Sequence, residues 1–420
     1  MCIRDRVGRD GQAGQTHHLK APKVPDLYDE SLNKNHVDSL PKEEEERKKP
    51  EALKKMGDGR RIRSDFKGYI ESPAKDKNTE GGDWGKGRNT EQIDSIKGIY
   101  VTAKNFSNKQ KRQKLLKLLE ESDLNAVVLD IKDDQGHLTY QSKVPLAKEV
   151  KSNKHASIKD LEELLHELKS RDIYTIARIV TFKDPHLAEQ KKEWAIKHRN
   201  GGTWKDKQGV LWIDPYHPKV WEYVTDIALE VAQLGFDEIQ FDYIRFPDNP
   251  KRLAREGTFP LADGRSKAEA IGEFLTFARK RLGEENVVIS ADVFGLTTTT
   301  KDDMGIGQQW EIITQHVDII SPMMYPSHYA KGSYGLKNPE AAPHQTIEEG
   351  LKDAIEKNEK LKAKGLKVAQ IRPWYQDFDF RRNYSHKEVE AQIKAGEEFG
   401  LKGYLLWNQA NRYSIPHTKR

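Results

Sequence analysis

The sequence predicts an α/β chain folded as a (β/α)8 TIM barrel, on three observations. A short apolar run, a polar residue at its carboxyl end and an amphipathic helix recur about eight times, the number that closes such a barrel. The segments between the runs carry apolar residues at helical spacing, as in Ile158, Leu161, Leu164, Leu165 and Leu168, or Val220, Val224, Ile227, Val231 and Leu234. A glycine-rich first turn of the dinucleotide-binding kind is missing, which sets the closed barrel above an open doubly wound sheet, the alternative that strand counting alone leaves open.

The expected strands are 98–101, 126–131, 174–180, 236–241, 287–291, 317–321, 368–371 and 403–406, most of them rich in Val, Ile or Tyr. Ser157 with Asp160 reads as a capping signal for the helix that follows. Around the fourth strand the punctuation is sharp: Gly235 stops a helix, and Pro247 forbids the strand from continuing. After the third strand, Trp204 and Trp212 flank KDKQG (205–209), which reads as an inserted hairpin. Its rings either roof a cleft or serve as packing.

Residues 1–94 read differently from the rest. PKEEEERKKP (41–50), scattered glycines and few aliphatic residues offer too little apolar surface to offset chain entropy, so this segment is expected to be a disordered linker or tail. Residues 95–416 then form a single barrel domain, expected to act as a monomer. With 71 basic against 66 acidic residues the net charge is +5, a near balance that supports solubility and gives no nucleic-acid footprint. No stretch is long and apolar enough for a transmembrane span, and residues 1–14 lack the apolar core of an export signal. A charged leader before a folded domain nevertheless suits a secreted or envelope-associated protein whose signal is missing from this sequence; the cytoplasm remains the alternative. The single cysteine, Cys2, forms no internal disulfide framework.

Chemistry is expected at the carboxyl ends of the strands. In order they offer Asn105, then Asp130 with Asp133, Arg178, Asp242 with Tyr243 and Arg245, Asp292, Tyr325 with His328, Arg372 with Trp374, and Trp407 with Asn408. Carboxylates, arginines and aromatic rings on one rim suit sugars: rings pack on the apolar face of a pyranose while Asp, Arg and Asn satisfy its hydroxyls. Cleaving a glycosidic bond takes two carboxyl groups that flank it. Asp242 and Asp292, on the fourth and fifth strands, are the adjacent pair. Each carboxylate also has a structural reading: Asp242 paired with Arg178 or Arg245, Asp292 capping its loop, Asp130 holding Lys132 or a neighbouring strand end, and Asp133 and Asp134 forming a turn.

From 97 to 413 the chain resembles a bacterial glycoside hydrolase family known as a domain of unknown function, distantly similar to the alpha-amylase and alpha-galactosidase barrels. The resemblance rests on KGIYVT (97–102), LDIKDDQG (129–136), WIDP (212–215), GFDEIQFDYIRFP (235–247), SADVF (290–294), SPMMYP (321–326) and GYLLWN (403–408). It implies a retaining two-carboxylate mechanism on a poly- or oligosaccharide, with the fourth-strand Asp242 as nucleophile. The sixth strand ends in Met323, Met324 and Tyr325 without a carboxylate, which leaves Asp292 as acid/base, where amylase-like relatives use a glutamate. Asp130, Arg178, Tyr243, Arg245, Tyr325, Arg372, Trp374, Trp407 and Asn408 are the expected substrate-binding set.

Other catalytic kits are missing. There is no HxH or HExxH zinc pattern, no GxSxG elbow and no phosphate-binding GxxxxGK loop, so no cofactor or metal is expected. An oxygen-only divalent site on Asp130, Asp133 and Asp242 needs no signature spacing and stays open. The rival to a hydrolase is a barrel that binds envelope or spore glycans without cleaving them.

Overall fold

The computed structural model describes residues 93–414, so residues 1–92 of the expected tail and the last residues of the expected barrel domain lie outside the described part. Nine strands form one parallel sheet. They are β1 (Lys97–Val101), β2 (Ala126–Lys132), β3 (Tyr174–Val180), β4 (Glu238–Asp242), β5 (Val288–Phe294), β6 (Ile319–Met324), β7 (Gln370–Ile371), β8 (Trp374–Gln376) and β9 (Tyr404–Trp407). β7 and β8 are two pieces of one stave, which leaves eight. The sheet closes on itself because β9 pairs with β1, while β8 bridges β6 and β9. That closure makes it a (β/α)8 barrel and excludes the open sheet.

Among the described residues, seven helices link successive staves: α1 (Lys109–Glu121), α2 (Leu161–Lys169), α3 (Pro218–Leu234), α4 (Lys267–Leu282), α5 (Trp310–Ile313), α6 (Pro343–Lys362) and α7 (His386–Glu398). Their ends follow local chemistry. Asp160 alone caps α2, accepting from the Glu163 N–H at 2.8 Å, so the helix starts after Ile158 and Ser157 is not its cap. Gly235 ends α3 at φ 107°, a left-handed conformation that a side chain would resist. α4 opens with a full capping box from Ser266 and Glu269.

Strand alternation sorts the residues into two layers. On β4, Phe241 points outward and meets the Phe274 ring of α4 at 5.3 Å. Glu238, Gln240 and Asp242 therefore face the barrel interior. Tyr100, Val128, Ile176, Trp374 and Leu405 pack together there. Deeper inside, Glu238 pairs with Arg372 and accepts from the hydroxyls of Ser290 and, at 3.2 Å, Tyr174.

Three strands run well past their expected ends: the fifth to Phe294, the sixth to Met324, and the seventh across a proline. Pro373 has no N–H, yet its carbonyl accepts from Leu405 at 2.9 Å, so the stave resumes at Trp374 rather than stopping. Arg372 thus falls one layer below the rim where it was expected.

The insertion after β3 contains the expected hairpin, with Lys205 bridged to Leu211 and a turn at Gly209. Lys197–His198 pairs antiparallel with Gly257–Thr258, tying this insertion to the loop after β4. Trp204 and Trp212 are both buried, which favours packing: Trp204 lies against Arg252 and Trp212 against Arg245.

Candidate active site

The carboxyl ends of β3, β4, β5, β6, β8 and β9 surround an open cavity lined by polar and aromatic side chains. Of the residues expected from sequence, Arg178, Asp242, Tyr243, Arg245, Asp292, Tyr325, Trp374 and Trp407 line it. Three expected members do not. Asp130 lies behind Arg178, Arg372 is held by Glu238 in the layer below, and Asn408 bonds the backbone at Asp377, Ala410 and Arg412, fastening the end of the described chain.

Asp242 and Asp292 come together through strand register. Phe241 pairs with Ala291 across β4 and β5, and the next residue on each strand is an interior-facing aspartate. Both carboxyl groups are almost wholly buried. Their partners differ. Asp242 accepts from Arg178, through Nε at 2.9 Å and through a second guanidinium nitrogen, and from the Tyr243 N–H at 2.6 Å. Three donors and no acceptor are the surroundings of an ionised carboxylate. Asp292 accepts one bond, from Trp374 Nε1 at 2.7 Å. Burial, and then the neighbouring charge of Asp242, push the Asp292 carboxyl well above the usual carboxylate range.

Arg178 also bonds Asp130 at 2.6 Å, and Asp130 accepts from the Tyr100 hydroxyl at 2.5 Å. The guanidinium therefore sits between Asp130 and Asp242, where a divalent ion on those carboxylates would have to lie. Asp133 is occupied as a turn former, accepting from the N–H groups of Gln135 and His137. Lys132 pairs with Asp184 at 2.8 Å and is not held by Asp130. Stacking fixes Arg178 from the other side: its guanidinium lies 5.3 Å from the Trp407 ring, which stacks on Tyr100 at 4.0 Å.

The strand end after Asp242 turns abruptly. Tyr243 has φ 49°, a conformation that costs an aromatic residue of order 1–3 kcal/mol and collects at functional sites. The turn puts its ring between two cations, Lys183 at 4.9 Å and Arg245 at 4.8 Å. Arg245 in turn is enclosed by the rings of Trp212 and Phe294 and pairs with Asp248 at 2.9 Å, not with Asp242. Tyr325 projects from the end of β6 into the cavity, and its hydroxyl makes no hydrogen bond among the described residues.

Phe294, Gly295, Met323 and His328 complete the lining without having been in the expected binding set. Phe294 and Met323 stand two residues from Asp292 and Tyr325, so same-face alternation was the available signal. Gly295 is demanded by close approach: a Cβ there would come within 2.5 Å of the Tyr329 hydroxyl.

Paired carboxyl groups and aromatic rings meeting at the carboxyl ends of a closed barrel are the groups that glycosidic chemistry calls for. A family model named "Putative glycosyl hydrolase domain" matches residues 98–413, and the chain belongs to that family. No curated protein matches the sequence. Among solved structures, a hypothetical protein from Ruminiclostridium thermocellum ATCC 27405 is 36% identical, over 50% of this chain and 98% of that one, with a TM-score of 0.43. The PgaB (BpsB) glycoside hydrolase domain of Bordetella bronchiseptica is 15% identical over 74% of this chain and 94% of its own, with a TM-score of 0.54, a likeness of fold. The alpha-galactosidase TtGalA of Thermus thermophilus is 12% identical over 77% and 59%, with a TM-score of 0.45.

Proposed function

We propose that the protein hydrolyses a glycosidic bond in a poly- or oligosaccharide with retention of configuration, Asp242 acting as nucleophile and Asp292 as acid and then base. The side-by-side placement of the two aspartates carries this reading. Neighbouring strands lie about 4.8 Å apart. Retention calls for roughly 5–5.5 Å between the two carboxyl groups, a separation that side chains on adjacent strands can reach.

The two environments suit the two roles. Arg178 and the Tyr243 N–H surround Asp242 as a carboxylate, ready to attack the anomeric carbon. Asp292, with its carboxyl pushed upward, keeps the proton that the leaving oxygen needs. In the first step a bond forms from an Asp242 oxygen to the anomeric carbon, the glycosidic C–O bond breaks, and the Asp292 proton passes to the departing oxygen. In the second, Asp292 takes a proton from water, the water oxygen bonds to the anomeric carbon, and Asp242 leaves as a carboxylate.

Trp374 sets the direction of that proton. An indole N–H can only donate, so the oxygen it touches, Asp292 Oδ1, is an acceptor and the acid proton belongs on Oδ2. Tyr243, Arg245, Tyr325, Trp374, Trp407 and Arg178 line the space a sugar ring would fill. Asp130 and Arg372 support from behind. A glycan-binding barrel without catalysis is favoured by one feature, the engagement of Asp242 by Arg178; Asp292, which no arginine bonds, speaks against it.

Incubating the purified protein with a polysaccharide panel, followed by product analysis, tests the reading, with Asp242→Asn as the blank. Sugar release by the wild type alone supports hydrolysis at this site. Equal release by both overturns the assignment, and tight binding without release supports the glycan-binding alternative.

A further inference from the structure

We infer that the loop after β8 carries a second sugar subsite with the Phe380 ring as its platform, so that the substrate is a chain running out of the cavity. The inference rests on the glycosidase reading and adds to it the length of the substrate.

Aromatic rings lead outward from the cavity in sequence. Tyr325 and His328 line the cavity, and the Phe378 ring packs against both, at 5.5 Å and 6.0 Å between centroids. Phe380 follows, its ring 5.9 Å from His328 with the two planes only 33° apart. At 40% exposure Phe380 is one of two large hydrophobic side chains exposed among the described residues. The other, Leu366, follows α6 at the opposite end of the barrel. Two things set Phe380 apart from a lone surface ring: its continuity with the cavity through His328, and the Arg381 guanidinium 5.1 Å from its centroid, which places hydrogen-bond donors beside it.

The ring is held in place. The Arg381 N–H donates to the buried carboxylate of Glu340 at 2.9 Å, the Tyr384 hydroxyl donates to the Glu340 carbonyl at 3.0 Å, and the Tyr384 N–H donates to Asp379 at 2.7 Å. Phe380 thus stands on a loop pinned on both sides, and presenting it to a ligand costs little further ordering. Burial, aided by Arg381, lowers His328 to about 4, so near neutral pH the path from cavity to platform offers an uncharged ring. A pyranose with its axial C–H groups on one face suits such a path, since it can stack on Phe380 while two further units of the chain fill the cavity.

The test uses the full chain bearing Asp242→Asn, so that probes are not consumed. Two-unit and six-unit gluco-, chito- and galacto-oligosaccharides are titrated while tryptophan fluorescence is followed, since Trp374 and Trp407 line the cavity. In at least one series the six-unit chain should bind more tightly than the two-unit one. Adding Phe380→Ala should weaken the six-unit chain about five- to tenfold and leave the two-unit one unchanged, while Phe380→Tyr retains the difference. Equal weakening of both lengths, no length dependence, or no binding in any series overturns the subsite. Length-dependent binding through Phe380 by a wild-type protein that releases no sugar leaves the subsite standing and refutes the hydrolase reading instead.

Discussion

Replacing Arg178 with methionine should cost the fold as well as the chemistry. Arg178 holds both Asp130 and Asp242, and the exposure of the three side chains is only 6%, 10% and 6%. Methionine fills much of the arginine stem but leaves two buried carboxylates without a cation. Removing one partner of a buried pair costs about 3–5 kcal/mol, because the charge left behind is neither solvated nor matched. With a slope of about 3 kcal/mol per molar urea, the unfolding midpoint should fall by on the order of 1 M. The loss should be largest near neutral pH and shrink as the pH falls and the orphaned carboxyl groups take up protons. Urea melts at pH 7 and pH 4.5 measure both effects. Adding Asp130→Asn to Arg178→Met should restore part of the loss at pH 7, since it removes one orphan. A drop below about 1 kcal/mol at pH 7, or a loss independent of pH, would refute the view that Arg178 is the electrostatic centre of the site.

Asp292→Asn should inactivate the enzyme and stabilise it. The folded-state carboxyl is raised above its unfolded value of about 3.9, so its contribution to stability is fully present below that pH and is lost as the pH climbs toward the folded value; asparagine has no such loss, and the variant's advantage in thermal melts should grow between pH 4 and pH 7. An unchanged or falling difference would mean that Asp292 is ionised without penalty. Trp374→Phe removes the donor that selects which oxygen carries the proton. Turnover of glycosides with poor leaving groups should fall about 10- to 100-fold, with a much smaller effect on activated aryl glycosides, and equal losses on both would make the indole a packing residue only.

The barrel was legible because strand ends and helix stops are written in local chemistry. Gly235 and Pro247 frame the fourth strand, and the residues at its end, with Asp292 on the next, are the ones the register brings together. What escaped depends on distance along the chain. Nothing near Asp130 reveals that its partners are Tyr100 and Arg178, 30 and 48 residues away. The depth of Arg372 could not be read because Pro373 resembles a strand stop, whereas the neighbouring stave uses the proline carbonyl and lets the strand resume. Asn408 sits next to a cavity-lining tryptophan, yet its amide is consumed by backbone at Asp377 and Arg412. Tyr243 shows the same limit: its ring chemistry was visible, but the left-handed turn that aims it between Lys183 and Arg245 was not.

Trapping the covalent intermediate tests the central claim most directly. Once the panel has identified the sugar, a 2-deoxy-2-fluoro glycoside of it with a good leaving group slows both steps and lets the glycosyl ester accumulate. Digestion and mass spectrometry should find the added fluoroglycosyl mass on the peptide containing Asp242, and Asp242→Asn should carry none. A wild-type enzyme that turns over its natural substrate while the label settles on another carboxylate, or on none, would contradict the assignment of Asp242 as nucleophile.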